Sequence, residues 1–341
     1  MMSAPHACAG AGCLDPSHAA GAPRWTYSLG LHDLGGGAWA WLQPDGGWGW
    51  SNAGFVRDGE DSLLVDTLFD ARLTANMLAA IDDATGVGAD DIDILVNTHA
   101  NGDHTFGNGL VGGARIIASQ ASAREMEEQT APFLASMMRR APEWGEMGAY
   151  LTRIFGPFDF DGARPKAPTE TFSGRRSLKV GDKTVDLHEV GPAHTLGDVI
   201  VHAVEDEIVF SGDILFIDGT PLIWAGPVAN WIRACDLIIA LDPKIVVPGH
   251  GPITDLAGVR RVQDYLRFVD GEARKRWDAG LSVTDAALDI SLGGYADWGD
   301  AERVAVNVQT LYREYRGGPD PAGEPQPFAL MATLAARGAR R

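Results

Sequence analysis

The sequence is poor in cysteine and in basic residues. Its 341 residues include three cysteines, Cys8, Cys13 and Cys235, which are too few and too scattered for a disulfide framework. We therefore expect a reducing compartment. The 28 Lys and Arg residues stand against 46 Asp and Glu, and the net charge of −18 makes most of the surface repel phosphate backbones and anionic membranes. We expect a small-molecule substrate and no nucleic-acid partner.

Long apolar runs are also missing. No segment approaches the roughly 20 apolar residues of a membrane span. Residues 1–24 lack the basic start and the continuous apolar centre of a signal peptide, so we expect a cytoplasmic protein without membrane contact. This Ala-, Gly-, Ser- and Pro-rich stretch is predicted to be a flexible tail. The spacings of its potential ligands match no compact zinc motif; these are His6, Cys8, Cys13 and His18.

Two successive blocks of strands, each followed by a helix, make up the rest of the pattern. An antiparallel meander is predicted over residues 25–67, and Asp70 can cap the helix that follows. Strands resume at 176–190, 198–204 and 208–210 and lead into an apolar helix. This order fits an α/β or α+β fold in which two sheets are flanked by helices.

The strongest functional signal follows the apolar run that ends at Val96. His99, Asn101, Asp103 and His104 lie within six positions of one another and next to glycine. Imidazole nitrogens and carboxylate oxygens are ligands for zinc, iron or manganese, and the end of a strand is a rigid place from which to present them. The pattern predicts a metal site.

Three later motifs have the same context. His194, Asp213 and His250 each follow an apolar strand and sit beside glycine. In order and spacing the four motifs resemble the metallo-β-lactamase superfamily, whose signature is His-x-His-x-Asp-His. In this sequence Asn101 stands where the signature has its second histidine. The resemblance extends over about residues 30–255.

The resemblance implies an αββα sandwich of two mixed β-sheets flanked by helices, with metals at one edge. We therefore expect such a domain over residues 25–255. A helical excursion at about 119–171 could act as a lid or simply pack on the domain. Residues 256–316 are predicted to be amphipathic helices packed on the domain or on a second copy, as in a homodimer. Residues 317–341 are predicted to be a loosely ordered tail.

One metal position implied by the resemblance is held by Asp103, His104 and His250, with Asp213 reaching it and its neighbour. A divalent metal lowers the pKa of bound water toward about 7 and polarises a substrate carbonyl. Asp103 or Asp213 would orient that water and accept its proton.

The second implied position would use His99, His194 and Asn101. Because an Asn side chain offers only a neutral amide oxygen, we expect this position to be weak or empty. One or two zinc ions per chain are expected, with iron or manganese as alternatives. Asn101 could instead act in catalysis as a donor to the oxyanion.

Aromatic residues near the start of the domain are candidates for substrate binding. Trp48 and Trp50 flank a Gly-rich turn, where they could contact an apolar or aromatic group or fill the core. His188 and His202 lie on predicted strands away from glycine turns and are expected to be packed or surface residues.

The favoured function is a metal-dependent hydrolase. Metal-bound hydroxide would attack an ester, thioester, lactone or amide carbonyl of a small apolar or aromatic substrate. The alternatives are β-lactamase activity and an iron-dependent oxygenase, such as a persulfide dioxygenase. A binding protein without turnover is disfavoured because all six His and Asp positions of the motifs are retained.

Overall fold

The computed structural model describes residues 25–128, 130–321 and 323–338. The predicted N-terminal tail, with His6, Cys8, Cys13 and His18, lies outside the described residues. Within the described part of the chain, no helix combines the length and apolar character needed to cross a membrane.

The first sheet has seven strands, which neighbour one another in sequence order. The first four form an antiparallel meander, and the pairs from the fourth strand onward are parallel. The strands are Gly30–Gly35 (β1), Ala38–Leu42 (β2), Ala53–Asp58 (β3), Asp61–Val65 (β4), Ile94–Val96 (β5), Arg115–Ser119 (β6) and Glu170–Phe172 (β7).

The second sheet has five strands in the order β12-β11-β10-β9-β8. Its last two strands along the chain pair in parallel, and the other pairs are antiparallel. The strands are Arg175–Val180 (β8), Lys183–Glu189 (β9), Val199–Ala203 (β10), Ile208–Phe210 (β11) and Ile245–Val247 (β12). Both sheets are mixed, so the predicted sandwich is confirmed.

Ten α-helices are described. They are Ala71–Thr85 (α1), Gly102–Thr105 (α2), Gln120–Glu128 (α3), Ala131–Arg140 (α4), Gly145–Phe155 (α5), Val228–Leu241 (α6), Leu256–Asp278 (α7), Val283–Asp289 (α8), Val304–Arg316 (α9) and Pro327–Gly338 (α10). Helix α1 begins at the predicted cap, because the Asp70 side chain accepts a hydrogen bond from the amide of Leu73 at 2.7 Å.

The alternation of side chains along each strand divides the core into layers. On β4, Leu63 and Val65 belong to the cluster between the two sheets, whereas Leu64 belongs to the cluster shared with the helices. Met77 of α1 and Trp231 of α6 are buried in that second cluster. Helices therefore cover the outer faces of both sheets, as the αββα prediction requires.

The structure adds detail to one predicted segment and differs from another. The first part of the helical excursion predicted at about 119–171 is divided into α3 and α4, and Pro132 lies in the first turn of α4, a position that suits proline. At the C-terminal end, α10 replaces part of the expected loose tail. Leu330 and Met331 are buried there, and α10 packs on α5 and α9. Apolar burial orders this helix despite the Gly- and Pro-rich sequence before it.

The two sheets approach each other closely at Gly54 on β3. A Cβ atom at this position would lie 2.3 Å from the ring of Phe210 on β11. We expect Gly54→Ala to lower the free energy of unfolding by about 1–3 kcal/mol through overpacking. Urea denaturation followed by circular dichroism would measure this.

Gly271 on α7 is the matched control. A Cβ atom there meets nothing within 4 Å, so Gly271→Ala should stabilise the helix by roughly 0.5–1 kcal/mol. Equal unfolding midpoints for Gly54→Ala and the wild type would contradict the close contact between the sheets.

Candidate metal centre

The predicted ligands meet at one edge of the sandwich. The segment after β5 carries the first group into α2, and turns after β9, β11 and β12 carry the others. The carboxyl ends of the parallel neighbours β11 and β12 share one sheet edge, which brings the turns that carry Asp213 and His250 together. The residues assembled there are His99, Asp103, His104, His194, Asp213 and His250, and each is at most 8% exposed.

Asp213 lies at the middle of this group. Its Oδ1 is 3.2 Å from Nε2 of His104, and its Oδ2 is 3.3 Å from Nε2 of His194. The same Oδ2 lies 3.4 Å from Nε2 of His250 and 3.7 Å from Nε2 of His99. One carboxylate therefore contacts all four imidazoles.

Two sets of side chains bring their ligand atoms within 4.8 Å of one another. The first is Asp103, His104 and His250, as the resemblance implies. The second joins His99 to His104 and Asp213. His194 and Asn101 were expected in the second set and lie beside it. His194 contacts Asp213, and Asn101 lines the cavity, described below, into which Asp213 also faces.

The rear nitrogen of each imidazole already has a partner. Nδ1 lies within hydrogen-bond distance of a protein oxygen in all four cases, which are His99 to Thr98 Oγ1 (3.0 Å), His104 to Asp66 Oδ2 (2.9 Å), His194 to Leu222 O (2.7 Å) and His250 to Gly46 O (3.1 Å). In a neutral ring these partners place the proton on Nδ1 and leave Nε2 facing the centre, where its lone pair can bind a metal.

Several buried atoms at the centre have no hydrogen-bond partner among the described residues. They are Nε2 of His99, His104 and His194 and Oδ1 of Asn101 and Asp213. A buried polar atom without a partner costs about 1–3 kcal/mol. Nitrogen and oxygen donors converging in this way fit a divalent zinc, iron or manganese ion, which would satisfy them together.

Burial disfavours charge on every group in the centre, and neighbouring charges decide the net pKa shifts. Burial and the adjacent His104 hold the pKa of His99 well below its usual range. Burial opposes ionisation of Asp213, but His250 and His104 outweigh it and hold the pKa well below its usual range. Neutral His99 and ionised Asp213 are the forms that bind a divalent cation.

Asp66 orients two of the ligands from behind. It is 2% exposed and accepts hydrogen bonds from the Thr98 amide and hydroxyl, both at 2.7 Å, besides the one from His104. Because the Thr98 hydroxyl donates to Asp66, its lone pair can accept from Nδ1 of His99. No local pattern in the sequence points to this role, since Asp66 lies 38 positions from His104.

The turn between β2 and β3 braces the ligand loops. Gly46 has a φ of 77°, and a Cβ atom there would lie 2.8 Å from the amide nitrogen of Gly251, so only glycine lets this turn approach His250. Asn52 donates to the carbonyls of Pro248 at 3.0 Å and Gly251 at 2.8 Å. The turn thereby fixes both sides of His250.

A cavity of about 340 Å³ opens on the metal centre. Most of its wall is apolar, and its residues beyond the ligand motifs are Trp48, Gly49, Phe69, Phe106, Glu128, Thr130, Phe133, Leu134, Phe155, Phe216, Leu222, Trp224, Arg303 and Phe328. Trp48, which was predicted to contact an apolar group or to fill the core, lines the cavity. Trp50 instead packs on Phe158, with ring centroids 4.9 Å apart, and is not among the lining residues. Adjacent positions in this irregular turn face different ways.

Arg303, at the start of α9, is a cavity residue that sequence reasoning missed. It is 2% exposed and is the single Lys or Arg among the cavity-lining residues described. Its guanidinium pairs with Asp300 at 2.8 Å and lies 4.6 Å from the ring centre of Trp48. Because it stacks on Trp48, Arg303 fixes one wall of the cavity.

The remaining predicted bystanders lie outside the centre. His188 and His202 occupy β9 and β10, where neither belongs to a ligand set among the described residues. Cys235 is buried in α6, and burial raises the pKa of its thiol to about 12. None of these three residues is part of a ligand set among the described residues.

Comparison with known families identifies the chain. The model of the metallo-β-lactamase superfamily matches residues 46–250, more than half of the sequence. The chain belongs to the metallo-β-lactamase superfamily. The match includes all six His and Asp positions of the metal centre, whereas α7–α10 lie beyond it.

Curated relatives of this superfamily member include two kinds of thioester hydrolase. It is 25% identical to the acyl-coenzyme A thioesterase MBLAC2 of Bos taurus over 220 residues, which cover 59% of this chain and 72% of that protein. It is 33% identical to the hydroxyacylglutathione hydrolase of Rhizobium johnstonii over 98 residues, which cover 28% of this chain and 38% of that protein.

Among solved structures, the sec-alkylsulfatase Pisa1 from Pseudomonas sp. resembles most of the chain. The TM-score is 0.62 at 14% identity, and the alignment covers 92% of this chain and 57% of that one. At this identity the similarity shows a shared fold. Because the alignment covers 92% of this chain, the fold similarity extends beyond residues 46–250, which the superfamily model matches.

We expect Asp66→Asn to weaken metal binding by about 10- to 100-fold, because an NH2 group replaces one oxygen and the side chain can no longer accept from both the Thr98 amide at Oδ1 and His104 at Oδ2. Competition with a chelator after zinc loading would measure the affinity. Asp70→Asn is the control, since Asp70 caps α1 and Asn remains a good cap. Equal affinities in the two variants would show that Asp66 does not orient His104.

Proposed function

We propose that the protein is a metal-dependent hydrolase that cleaves thioesters, or related esters, of apolar acyl groups. The observation that carries this proposal is the aromatic cavity, which opens directly on the assembled ligands. When bound, a divalent metal supplies a water of lowered pKa and polarises the substrate carbonyl. The cavity would hold the acyl group against this centre and exclude bulk water.

The chain's own polar groups have distinct parts in this proposal. Asp103 and Asp213 line the cavity beside His250, and they would orient the attacking water and accept its proton. Asn101 lines the same cavity, and its amide N–H groups can donate to the developing oxyanion. Its Oδ1 has no partner among the described residues, so the amide is free to serve either as ligand or as donor.

The relatives support the choice of a thioester. MBLAC2 is named an acyl-coenzyme A thioesterase, and the Rhizobium relative is named a hydroxyacylglutathione hydrolase. A thioester carbonyl is a good electrophile with a thiolate leaving group, so no strong general acid is needed to expel it. The apolar walls favour an acyl or aryl group over a charged one.

We further propose that zinc binds more tightly at Asp103, His104 and His250 than at the position beside His99 and Asn101. Wild-type protein purified without chelator should contain about one zinc per chain, and Asn101→His should raise this toward two, because imidazole is a stronger ligand than a neutral amide. Elemental analysis measures the content. Two zinc ions in the wild type would overturn the weak second position, and iron would favour the oxygenase alternative.

Substrate class is tested with a panel containing acyl thioesters, matched oxyesters, a β-lactam and a secondary alkyl sulfate. We expect thioesters with apolar acyl groups to be hydrolysed with the highest kcat/KM. Trp48→Ala should lower kcat/KM for these substrates by roughly 10- to 100-fold, corresponding to about 1.5–3 kcal/mol of lost apolar contact.

Trp50→Ala is the matched control for the panel. Its indole packs on Phe158 outside the cavity lining, so it should affect stability more than kcat/KM. Faster turnover of the β-lactam or the alkyl sulfate than of any thioester would refute the thioester proposal. Equal losses of kcat/KM for both Trp variants would refute the proposed position of the acyl group.

A further inference from the structure

Helix α9 has a buried polar face although it lies outside the superfamily match. Asn307 is fully buried and Thr310 is 2% exposed. Arg303, Asn307, Thr310 and Glu314 recur at intervals of three or four positions, so they share one side of the helix. A polar face of this kind is costly unless each group is paired.

The partners of this face belong to one extended segment, residues 220–228. Six hydrogen bonds join side chains to its backbone: Arg303 to Thr220 O (3.1 Å), Asn307 to Pro221 O (2.8 Å), Ile223 N to Asn307 Oδ1 (2.8 Å), Thr310 to Ile223 O (2.7 Å), Arg313 to Trp224 O (3.0 Å) and Val228 N to Glu314 Oε1 (3.1 Å). Helix α9 therefore fixes this segment along its length.

The same segment holds His194 at both its ring and its backbone. The Leu222 carbonyl accepts from Nδ1 of His194 at 2.7 Å. The amides of Trp224 and Ala225 both donate to the His194 carbonyl at 3.1 Å. The direction of the Leu222 carbonyl thus sets the plane of the imidazole, and this plane decides where Nε2 points.

Asn307 controls that carbonyl most directly. Its amide donates to Pro221 O and accepts from Ile223 N, so it is hydrogen-bonded to the backbone on both sides of Leu222. A further hydrogen bond to the Tyr265 hydroxyl at 3.0 Å fixes the amide itself. Rotation of the intervening peptides would break at least one of these bonds.

We propose that Asn307 is a positioning residue for the metal centre, acting through the Leu222 carbonyl on His194. Its loss weakens the metal position served by His99 and His194 and leaves the position at Asp103, His104 and His250 almost unchanged. The inference rests on the proposed metal-dependent function, and it makes the C-terminal helices part of the centre.

Asn307→Leu removes the amide at similar volume. It is made in the native sequence and in the Asn101→His variant, and each product is compared with its parent. In Asn101→His, zinc is expected to fill both metal positions. Zinc affinity at each position is measured by chelator competition, and folding is checked by circular dichroism. We expect a 10- to 100-fold weaker second position, with a change of less than about threefold at the first.

Gln309→Leu is the matched control. Gln309 is a buried amide on the same helix, but it bonds to Asp320 and to the Pro325 carbonyl, away from residues 220–228. This variant should leave both zinc affinities unchanged even if its stability falls. Thr310→Val removes the bond to Ile223 O and the bond that the Thr310 hydroxyl accepts from Arg313, but keeps the Asn307 amide, and it should show a smaller loss at the second position. It carries the test if Asn307→Leu does not fold.

The outcomes separate the inference from the function on which it rests. Unchanged affinity at the second position in a folded Asn307→Leu variant, or equal losses at both positions, would overturn the positioning role while the metal-dependent function stands. Failure of the wild type and of Asn101→His to bind any divalent metal would overturn both.

Discussion

The metal centre depends on hydrogen bonds made behind the four imidazoles. Four rings and two carboxylates are buried within a few ångströms, and burial alone would drive these side chains apart or strip them of charge. Each ring is instead fixed through Nδ1 by an oxygen of the protein, and Asp213 joins the four Nε2 atoms at the centre. Hydrogen bonds within the protein therefore hold the ligand arrangement.

Distant parts of the chain supply three of the four oxygens that hold Nδ1, and Thr98 supplies the fourth from the position next to His99. Gly46 lies 204 positions from His250, and Leu222 lies 28 positions from His194. The two sheets bring the turns that carry the ligands to one edge of the sandwich. The β2–β3 turn and α9 support the positions of His250 and His194 from outside these turns. Ligand geometry in this protein is consequently a property of the whole fold rather than of the motifs alone.

The difference between local motifs and tertiary contacts explains which residues of the site could be predicted from the sequence. His99, Asp103, His104, His194, Asp213 and His250 each follow a local pattern of apolar strand and glycine, and the structure assembles all six. Asp66, Arg303 and Asn307 carry no such local pattern, because their roles arise from tertiary contacts. The same reason separates Trp48 from Trp50, whose directions depend on an irregular turn with no period.

The candidate metal centre and part of the cavity wall that faces it come from separate parts of the chain. The ligands lie within residues 46–250, but Arg303 and Phe328 in the cavity wall come from the last 40 residues. Sequence changes in those helices can alter which molecules fit without touching a single ligand. Members of this superfamily could therefore acquire new substrate preferences by exchanging their C-terminal helices while the metal chemistry stays the same.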